Sequence, residues 1–140
     1  MRKKVRKGVN KRVKNATPKF YGGIQFRSLL EVYAYKKLVE NDLYGENKFQ
    51  YEKVTYTIIE GFEFFDGERV RPIKTVPDFV DEQNKIILEL KGWFTDVSKI
   101  KQKLFKRYLK INNLNFELYM PKNQKEVNSA IQSIKEKLKN

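Results

Sequence analysis

Residues 76–93 read VPDFVDEQNKIILELKGW, and they decide the predicted fold because they describe two short strands joined by a polar turn. The two arms are rich in apolar residues, and the polar residues 82–84 between them predict a hairpin. Side chains alternate between the two faces of a strand, which places Ile86, Leu88 and Leu90 on one face and Ile87, Glu89 and Lys91 on the other. An acid and a lysine are therefore predicted on one face, at the end of an otherwise apolar strand.

The flanking segments predict that helices and strands interleave along the chain. Apolar periodicity predicts helices at 28–42, 95–113 and 123–140, and β-branched and aromatic residues predict strands at 48–60, within 62–73 around an Asp66-Gly67 turn, and at 115–120. The predicted inward positions are Leu30, Ala34 and Leu38 in the first helix, Ile100, Leu104, Tyr108 and Ile111 in the second, and Val127, Ile131, Ile134 and Leu138 in the third. We expect a fold of the α/β or α+β class, with a central mixed β-sheet flanked by helices.

The net charge of +13 is concentrated near the N-terminus of the 140-residue chain. No acid precedes Glu31, whereas the first nineteen residues carry nine lysines and arginines. We interpret residues 1–23 as a basic, flexible arm and linker, and residues 24–140 as one domain. Such an arm suits nucleic-acid phosphates, although a solubilising tail or an anionic membrane surface are alternatives. The bases expected to contact DNA are Arg2, Lys3, Lys4, Arg6, Lys7, Lys11, Arg12, Lys14 and Arg27.

Composition excludes several kinds of chemistry. The chain has no cysteine and no histidine, so disulfides, thiolate zinc sites, cysteine nucleophiles and imidazole bases are ruled out. No apolar stretch is long enough for a membrane helix, and the basic N-terminus does not lead into the apolar region of a secretory signal. We expect a cytoplasmic protein that does not bind membranes and uses no small-molecule cofactor.

A pair of acids and one lysine form the candidate catalytic group. Asp78 begins one predicted strand, while Glu89 and Lys91 project together from the next, so two carboxylates and an ammonium would converge if the strands pair. Two close carboxylates repel unless a cation lies between them, and Mg²⁺ prefers oxygen ligands. Lys91 would then assist an attacking water. The alternative is a surface hairpin with solvated Glu89 and Lys91 and with Asp78 as a turn residue.

These residues resemble a known nuclease signature. Pro77-Asp78, followed after ten residues by Glu89-Leu90-Lys91, is similar to the PD-(D/E)xK motif of the restriction-endonuclease-like nucleases. Residues 26–31, FRSLLE, resemble the segment that precedes this motif in the phage endonuclease I family of Holliday-junction resolving enzymes. A second likeness is to small phage proteins of uncertain role, whose pattern Thr95, Lys101 and Lys103 would continue.

The resemblance implies an αβββαβ restriction-endonuclease-like core and an active site in which Asp78, Glu89 and the Leu90 carbonyl hold Mg²⁺, with Mn²⁺ as a substitute. It also implies that Glu31 belongs to this site, where it orients a second metal ion or its waters, whereas the sequence alone allows Glu31 to act in a capping box with Ser28. Lys91 would be catalytic, and Lys101 and Lys103 would contact DNA.

The implied protein is a phage or prophage endonuclease that acts as a homodimer on branched DNA. The segment between Tyr56 and Thr75 is longer than in the endonuclease I relatives, and the 62–73 hairpin within it is interpreted as an added recognition or dimer element. Three alternatives stay open: a sequence-specific or nicking endonuclease on linear duplex DNA, a non-catalytic basic nucleic-acid-binding protein, and an RNA target.

Overall fold

The structure is a computed structural model and describes residues 19–91 and 95–139. In chain order, its elements are β1 (Lys19–Tyr21), β2 (Ile24–Phe26), α1 (Leu29–Glu40), β3 (Gln50–Tyr51), β4 (Tyr56–Ile59), β5 (Phe62–Glu63), β6 (Arg69–Val70), β7 (Ile73–Thr75), β8 (Phe79–Asp81), β9 (Ile86–Leu88), α2 (Asp96–Ile111), β10 (Glu117–Tyr119) and α3 (Gln124–Lys139).

The central sheet is built around the predicted hairpin. It has the strand order β10-β9-β8-β3. Strands β8 and β9 pair antiparallel, with Phe79 opposite Leu88, and β3 pairs antiparallel with β8. Strand β10 pairs parallel with β9 because α2 carries the chain back to the same end of the sheet. The predicted α+β class with a mixed sheet is therefore confirmed.

Helices cover both faces of this sheet. Ile86 and Leu88 pack in one cluster with residues of α1 and α3, including Ala34 and Ile131. On the other face, Ile87 packs with residues of α2 in a second cluster. All three residues of β9 are consequently buried, which explains the unbroken apolar run in this strand.

Helix α2 presents a different face to the core from the one predicted. Phe105 and Leu109 are its buried residues, whereas Ile100 and Ile111 are each 60% exposed. The ring of Phe105 packs 5.3 Å from that of Tyr56 in β4. This aromatic contact with a neighbouring strand sets the rotation of the helix. The predicted inward positions Ile100 and Ile111 are therefore wrong, whereas the predicted position Tyr108 packs against the second cluster. The predicted inward positions Val127, Ile131 and Ile134 of α3 are buried.

The single strand predicted at 48–60 is divided into two. Strand β3 ends at Tyr51, and Glu52 has a φ of +47°, in the left-handed region that non-glycine residues seldom adopt. The chain turns there, and β4 pairs with β7 outside the central sheet. The turn matters because it brings Glu52 beside the candidate site.

Two further hairpins flank the sheet. Gly22 and Gly23, predicted as part of a linker, form instead the two-residue turn between β1 and β2, and both have the positive φ that such a turn needs. Strands β5 and β6 form the predicted hairpin, with Gly67 at a φ of +90° in its turn. The bases predicted to bind DNA between Arg2 and Lys14 lie outside the described residues. Within the described ranges, no helix has the length and apolar character needed to cross a membrane.

Candidate active site

Asp78 and Glu89 lie where β8 begins and β9 ends, one step beyond the paired residues Phe79 and Leu88. Each carboxylate is bonded to the backbone of the opposite strand. The Asp78 N–H donates to Glu89 Oε1 at 2.9 Å, and the Leu90 N–H donates to Asp78 Oδ2 at 2.8 Å. One oxygen of each carboxylate is thereby held in place, while Asp78 Oδ1 and Glu89 Oε2 are left for other partners.

Strand alternation continues past β9 and separates charged from apolar side chains. Leu90 is buried in the cluster with α1 and α3, and Lys91 Nζ lies 3.9 Å from Glu89 Oε2. The Glu89 side chain is 12% exposed and that of Lys91 is 34% exposed. Backbone bonds from Glu89 N to Tyr119 O and from Lys91 N to Pro121 O hold this extension against the β10 segment. Asp78, Glu89 and Lys91 are thus brought together, as predicted from their spacing.

Glu31 reaches the same region from the first turn of α1. Ser28 caps the helix, because its Oγ accepts a bond from Glu31 N at 3.1 Å. The Glu31 carboxylate does not return this bond to Ser28. Its Oε1 accepts from Arg27 N at 3.0 Å and from the Tyr51 hydroxyl at 2.7 Å. Only the serine half of the predicted capping box is formed, and the buried glutamate faces the other acids.

Arg27 occupies the centre of the acidic group. Its Nη2 lies 3.2 Å from Asp78 Oδ1, its Nε lies 3.9 Å from Glu31 Oε2, and the same guanidinium pairs with Glu52. The prediction for Arg27 was a DNA contact. In the structure it neutralises carboxylates from three parts of the chain, although its side chain is still 65% exposed.

Burial and mutual repulsion raise the pKa values of two acids of the site, Asp78 and Glu89. Burial, and then the charges of Glu89 and Glu31, raise the pKa of Asp78 well above its ordinary value, although the Leu90 N–H and Arg27 act in the opposite direction. Burial also raises the pKa of Glu89, despite the Asp78 N–H and Lys91. Elevated pKa values in a buried group of acids are typical of functional sites.

Asp78→Asn is expected to stabilise the metal-free protein at mildly alkaline pH. Between the ordinary pKa of Asp78 and its raised value, the folded state keeps a proton that the unfolded chain releases, so stability falls as pH rises through this window. Removal of the charge should increase the free energy of unfolding above the window by about 1–2 kcal/mol, or roughly 3–8 °C in Tm. Thermal unfolding in chelator, followed by circular dichroism, would measure this change.

Asp81→Asn is the matched control for this experiment. Asp81 is a buried acid of the same hairpin, but its carboxylate accepts bonds from Asn84 and holds the turn. The Asp81→Asn variant should therefore show no gain in Tm at alkaline pH. An equal or lower Tm for Asp78→Asn at every pH would show that the acids are not in electrostatic conflict.

A cavity of about 370 Å³ opens beside Glu89 and Lys91. Four of its lining residues are cations and three are hydroxyl residues. The cationic and hydroxyl residues are Arg27, Lys74, Lys91, Lys101, Thr55, Thr75 and Ser98. Cations and hydroxyl groups are the side chains that bind phosphate oxygens. The cavity can therefore accept an anionic group next to Glu89.

The residues present fit a hard divalent cation through the chemistry of their donors. Asp78 Oδ1 and Glu89 Oε2 are carboxylate oxygens that make no backbone hydrogen bond, and carboxylate oxygens are the ligands that such ions prefer. Among residues 19–91 and 95–139, no three acidic side chains are already arranged as a complete metal site. Arg27 contacts Asp78 Oδ1 directly, so a metal ion at this oxygen requires the guanidinium to withdraw.

The structure also contains site residues that the sequence reading missed. Glu52 pairs with Arg27, Tyr51 donates a hydrogen bond to Glu31, and Lys74 and Ser98 line the cavity. They lie in segments with no recognisable motif, and no local pattern marks them. Of the predicted DNA contacts in α2, Lys101 lines the cavity, whereas Lys103 is exposed outside its lining.

Comparison with known proteins places the chain in one family. Neither the curated proteins nor the solved structures contain a significant match. A family model described as "Protein of unknown function (DUF1064)" matches residues 12–126, a segment that contains Glu31, Asp78, Glu89 and Lys91. Since the matched segment covers well over half of the chain, the protein belongs to the DUF1064 family.

Proposed function

We propose that the protein is a metal-dependent endonuclease that hydrolyses phosphodiester bonds in DNA, with a preference for branched DNA such as four-way junctions. One observation carries this proposal: Asp78 and Glu89 are backbone-anchored carboxylates, each with one oxygen unused by the backbone, and Glu89 lies beside Lys91 at a cavity rich in cations. Carboxylates for a metal, a lysine for the nucleophile and cations for phosphate are the groups that phosphodiester hydrolysis needs.

Asp78 and Glu89 would hold Mg²⁺, with Mn²⁺ as a substitute. The oxygens that make no backbone hydrogen bond are Asp78 Oδ1 and Glu89 Oε2, with the Leu90 carbonyl as a further ligand implied by the motif. When bound, such an ion stabilises charge on phosphate oxygens and lowers the pKa of a coordinated water. Glu31 is bonded to Tyr51 and Arg27 N, which suits a residue that orients waters around the ion.

Lys91 would act on the nucleophile and on the phosphate. Its ammonium lies near Glu89 Oε2 and also lines the cavity, so it can donate a hydrogen bond to an attacking water or to a phosphate oxygen. Lys74 and Lys101 line the same cavity and would position the DNA backbone. Arg27, displaced from Asp78 when the ion binds, would be free to contact a neighbouring phosphate.

The preference for branched DNA is the finer part of the proposal. It is supported by the likeness of FRSLLE and of the PD and ELK residues to the endonuclease I pattern, together with a strongly basic chain. We assign the protein to the cytoplasm of a bacterial host, as a phage or prophage product. Cleavage of linear duplex DNA, cleavage of RNA and binding without cleavage are the other outcomes that the test below separates.

Lys91→Ala should abolish metal-dependent cutting of a four-way DNA junction, with a loss of at least about 100-fold in rate. The purified protein is incubated with the junction, with a linear duplex of matched sequence and with a matched RNA duplex, in Mg²⁺ or in chelator. Lys125→Ala is the matched control, because it removes the same charge from an exposed position on α3 outside the cavity. This control should cut at the wild-type rate.

The outcomes distinguish the candidates. Cutting confined to the junction, dependent on metal and lost in Lys91→Ala, supports a branch-selective endonuclease. Cutting of both DNA substrates would support a DNA endonuclease without selectivity for branches. Cutting of RNA alone would show that the substrate is RNA and not DNA. Binding that weakens with salt, with no cutting in Mg²⁺ or Mn²⁺, would contradict the proposal and favour a nucleic-acid-binding protein.

A further inference from the structure

The hairpin formed by β5 and β6 carries an exposed aromatic tip. Phe62 is 46% exposed, Phe64 is 48% exposed and Phe65 is 99% exposed. Large apolar side chains gathered on one protruding element are unusual on a protein that has no partner. The segment from Glu60 to Glu68 has, in addition, four acids and no base, within a chain whose net charge is +13. We name residues 60–68 the acidic aromatic tip.

The tip is ordered by its own hydrogen bonds. Phe64 N donates to Glu68 O at 2.7 Å, Gly67 N donates to Phe64 O at 2.9 Å, and Glu68 N donates to Asp66 Oδ1 at 2.9 Å. The rings of Phe64 and Phe65 lie 5.1 Å apart. A protrusion held in this way loses little conformational entropy when it docks, which favours binding.

An apolar groove lies between β7 and α2. Its volume is about 440 Å³, and its lining residues are Pro72, Ile73, Lys74, Val97, Ile100, Lys101 and Leu104. Val97 is 75% exposed and Ile100 is 60% exposed, so the apolar side chains of this helix face have no cover within the described part of the chain. Two lysines line the groove, and α2 carries six bases and one acid. We name this feature the basic groove.

We propose that the acidic aromatic tip of one copy docks in the basic groove of a second copy, and that two copies exchange tips to form a closed dimer. The tip offers aromatic side chains with acids, and the groove offers an apolar floor with lysines, so apolar burial and charge complementarity favour the same pairing. Each copy carries both surfaces, which allows a twofold arrangement with two identical contacts.

The acids of residues 60–68 favour a second copy over nucleic acid as the partner of the tip. Aromatic side chains on a protrusion can stack on bases, but the four acids of residues 60–68 would repel phosphates. Lys74 and Lys101 line both the basic groove and the cavity beside Glu89. A docked tip would therefore form part of the border of the candidate active site in the partner copy. The inference rests on the two surfaces and holds whether or not the protein cuts DNA.

The first test measures the oligomeric state by sedimentation velocity over a range of concentrations. The wild-type protein should sediment as a dimer, and Phe65→Ser should raise the dimer dissociation constant by at least about tenfold. Phe20→Ser is the matched control, since Phe20 is 72% exposed on the separate β1–β2 hairpin. It should leave the dimer intact. A wild-type monomer, open polymers or an unchanged Phe65→Ser dimer would overturn the proposal.

Cysteine cross-linking tests the contact itself, because the natural chain has no cysteine. Phe65→Cys protein is mixed with Ile100→Cys protein that carries a tag of different size, so that a cross-link between copies is seen as a band of mixed size. Phe65→Cys mixed with Lys125→Cys is the control, as Lys125 is exposed on α3. The mixed band should form with Ile100→Cys and not with Lys125→Cys. Equal yields, or no mixed band, would contradict docking in the groove.

The affinity of Phe65→Ser for DNA shows whether the tip binds a second copy or nucleic acid. An unchanged affinity for DNA together with a weakened dimer supports the exchange of tips. A weakened affinity for DNA with an unchanged dimer would overturn it and assign the tip to nucleic acid.

Discussion

Asp78→Asn is expected to lower the rate of metal-dependent DNA cleavage by at least about 1,000-fold. Asp78 contributes Oδ1 to the proposed metal site, while its Oδ2 accepts the Leu90 N–H bond. Asparagine can still accept the Leu90 bond through its amide oxygen, so the backbone should keep its position while the charged metal ligand is lost. Single-turnover cleavage of a four-way junction at saturating enzyme would measure the chemical step.

Binding and folding must survive for this result to be informative. Asp78→Asn should bind the junction with unchanged or higher affinity in chelator, because it removes a negative charge. In the wild-type protein, Mg²⁺ should raise Tm through its preference for the folded state, and this rise should be absent in Asp78→Asn. Asp81→Asn should cut DNA and respond to Mg²⁺ as the wild type does. Cleavage by Asp78→Asn within tenfold of the wild type would refute the assigned role.

Phe79→Ala is expected to lower the free energy of unfolding by about 3–5 kcal/mol. Phe79 is fully buried and lies in β8 directly after Asp78. Its ring packs 5.3 Å from that of Tyr51 and 6.4 Å from those of Phe26 and Tyr44, so a truncated side chain leaves a cavity among three aromatic residues. Urea denaturation, monitored by far-UV circular dichroism, would measure the change in the free energy of unfolding.

Phe20→Ala is the matched control for this effect. Phe20 is the same residue type but 72% exposed, and its truncation should change the free energy of unfolding by no more than about 0.5 kcal/mol. A cost below about 1 kcal/mol for Phe79→Ala would mean that this aromatic cluster does not form the core. Tyr51 packs against Phe79 and also donates a hydrogen bond to Glu31. We therefore expect the Phe79→Ala protein that still folds to have lower activity as well as lower stability.

The sequence predicted most accurately those elements whose signals are local. The β8–β9 hairpin, helix α1 with its Ser28 cap, and the inward face of α3 follow from alternation, capping and helical periodicity. Helix α2 shows the limit of this approach. Apolar side chains lie on more than one face of this helix, with lysines between them, so the sequence does not show which face is buried. The contact between Phe105 and Tyr56, which are 49 residues apart, determines the buried face.

The candidate site divides in the same way. The spacing of Asp78, Glu89 and Lys91 predicted that they would share a face, since they lie on two arms of one hairpin. The role of Arg27 could not be predicted, because its contact with Asp78 spans 51 residues. The role of Glu52 could not be predicted either. Its position beside Arg27 depends on a turn with a positive φ, which interrupts a segment that has the sequence pattern of a strand.

By itself, then, the sequence determined the secondary structure around the hairpin, the pairing of the two acids, and the excess of positive charge. The tertiary structure alone decided that Arg27 pairs with the acids, that Lys74 and Lys101 line the cavity beside Glu89, and that the aromatic side chains of residues 60–68 are exposed. Local sequence patterns reflect backbone hydrogen bonding and the alternation of buried and exposed side chains within one helix or strand. Contacts between distant segments depend on how helices pack on both faces of the sheet, and that packing is set by shape and burial over the whole domain.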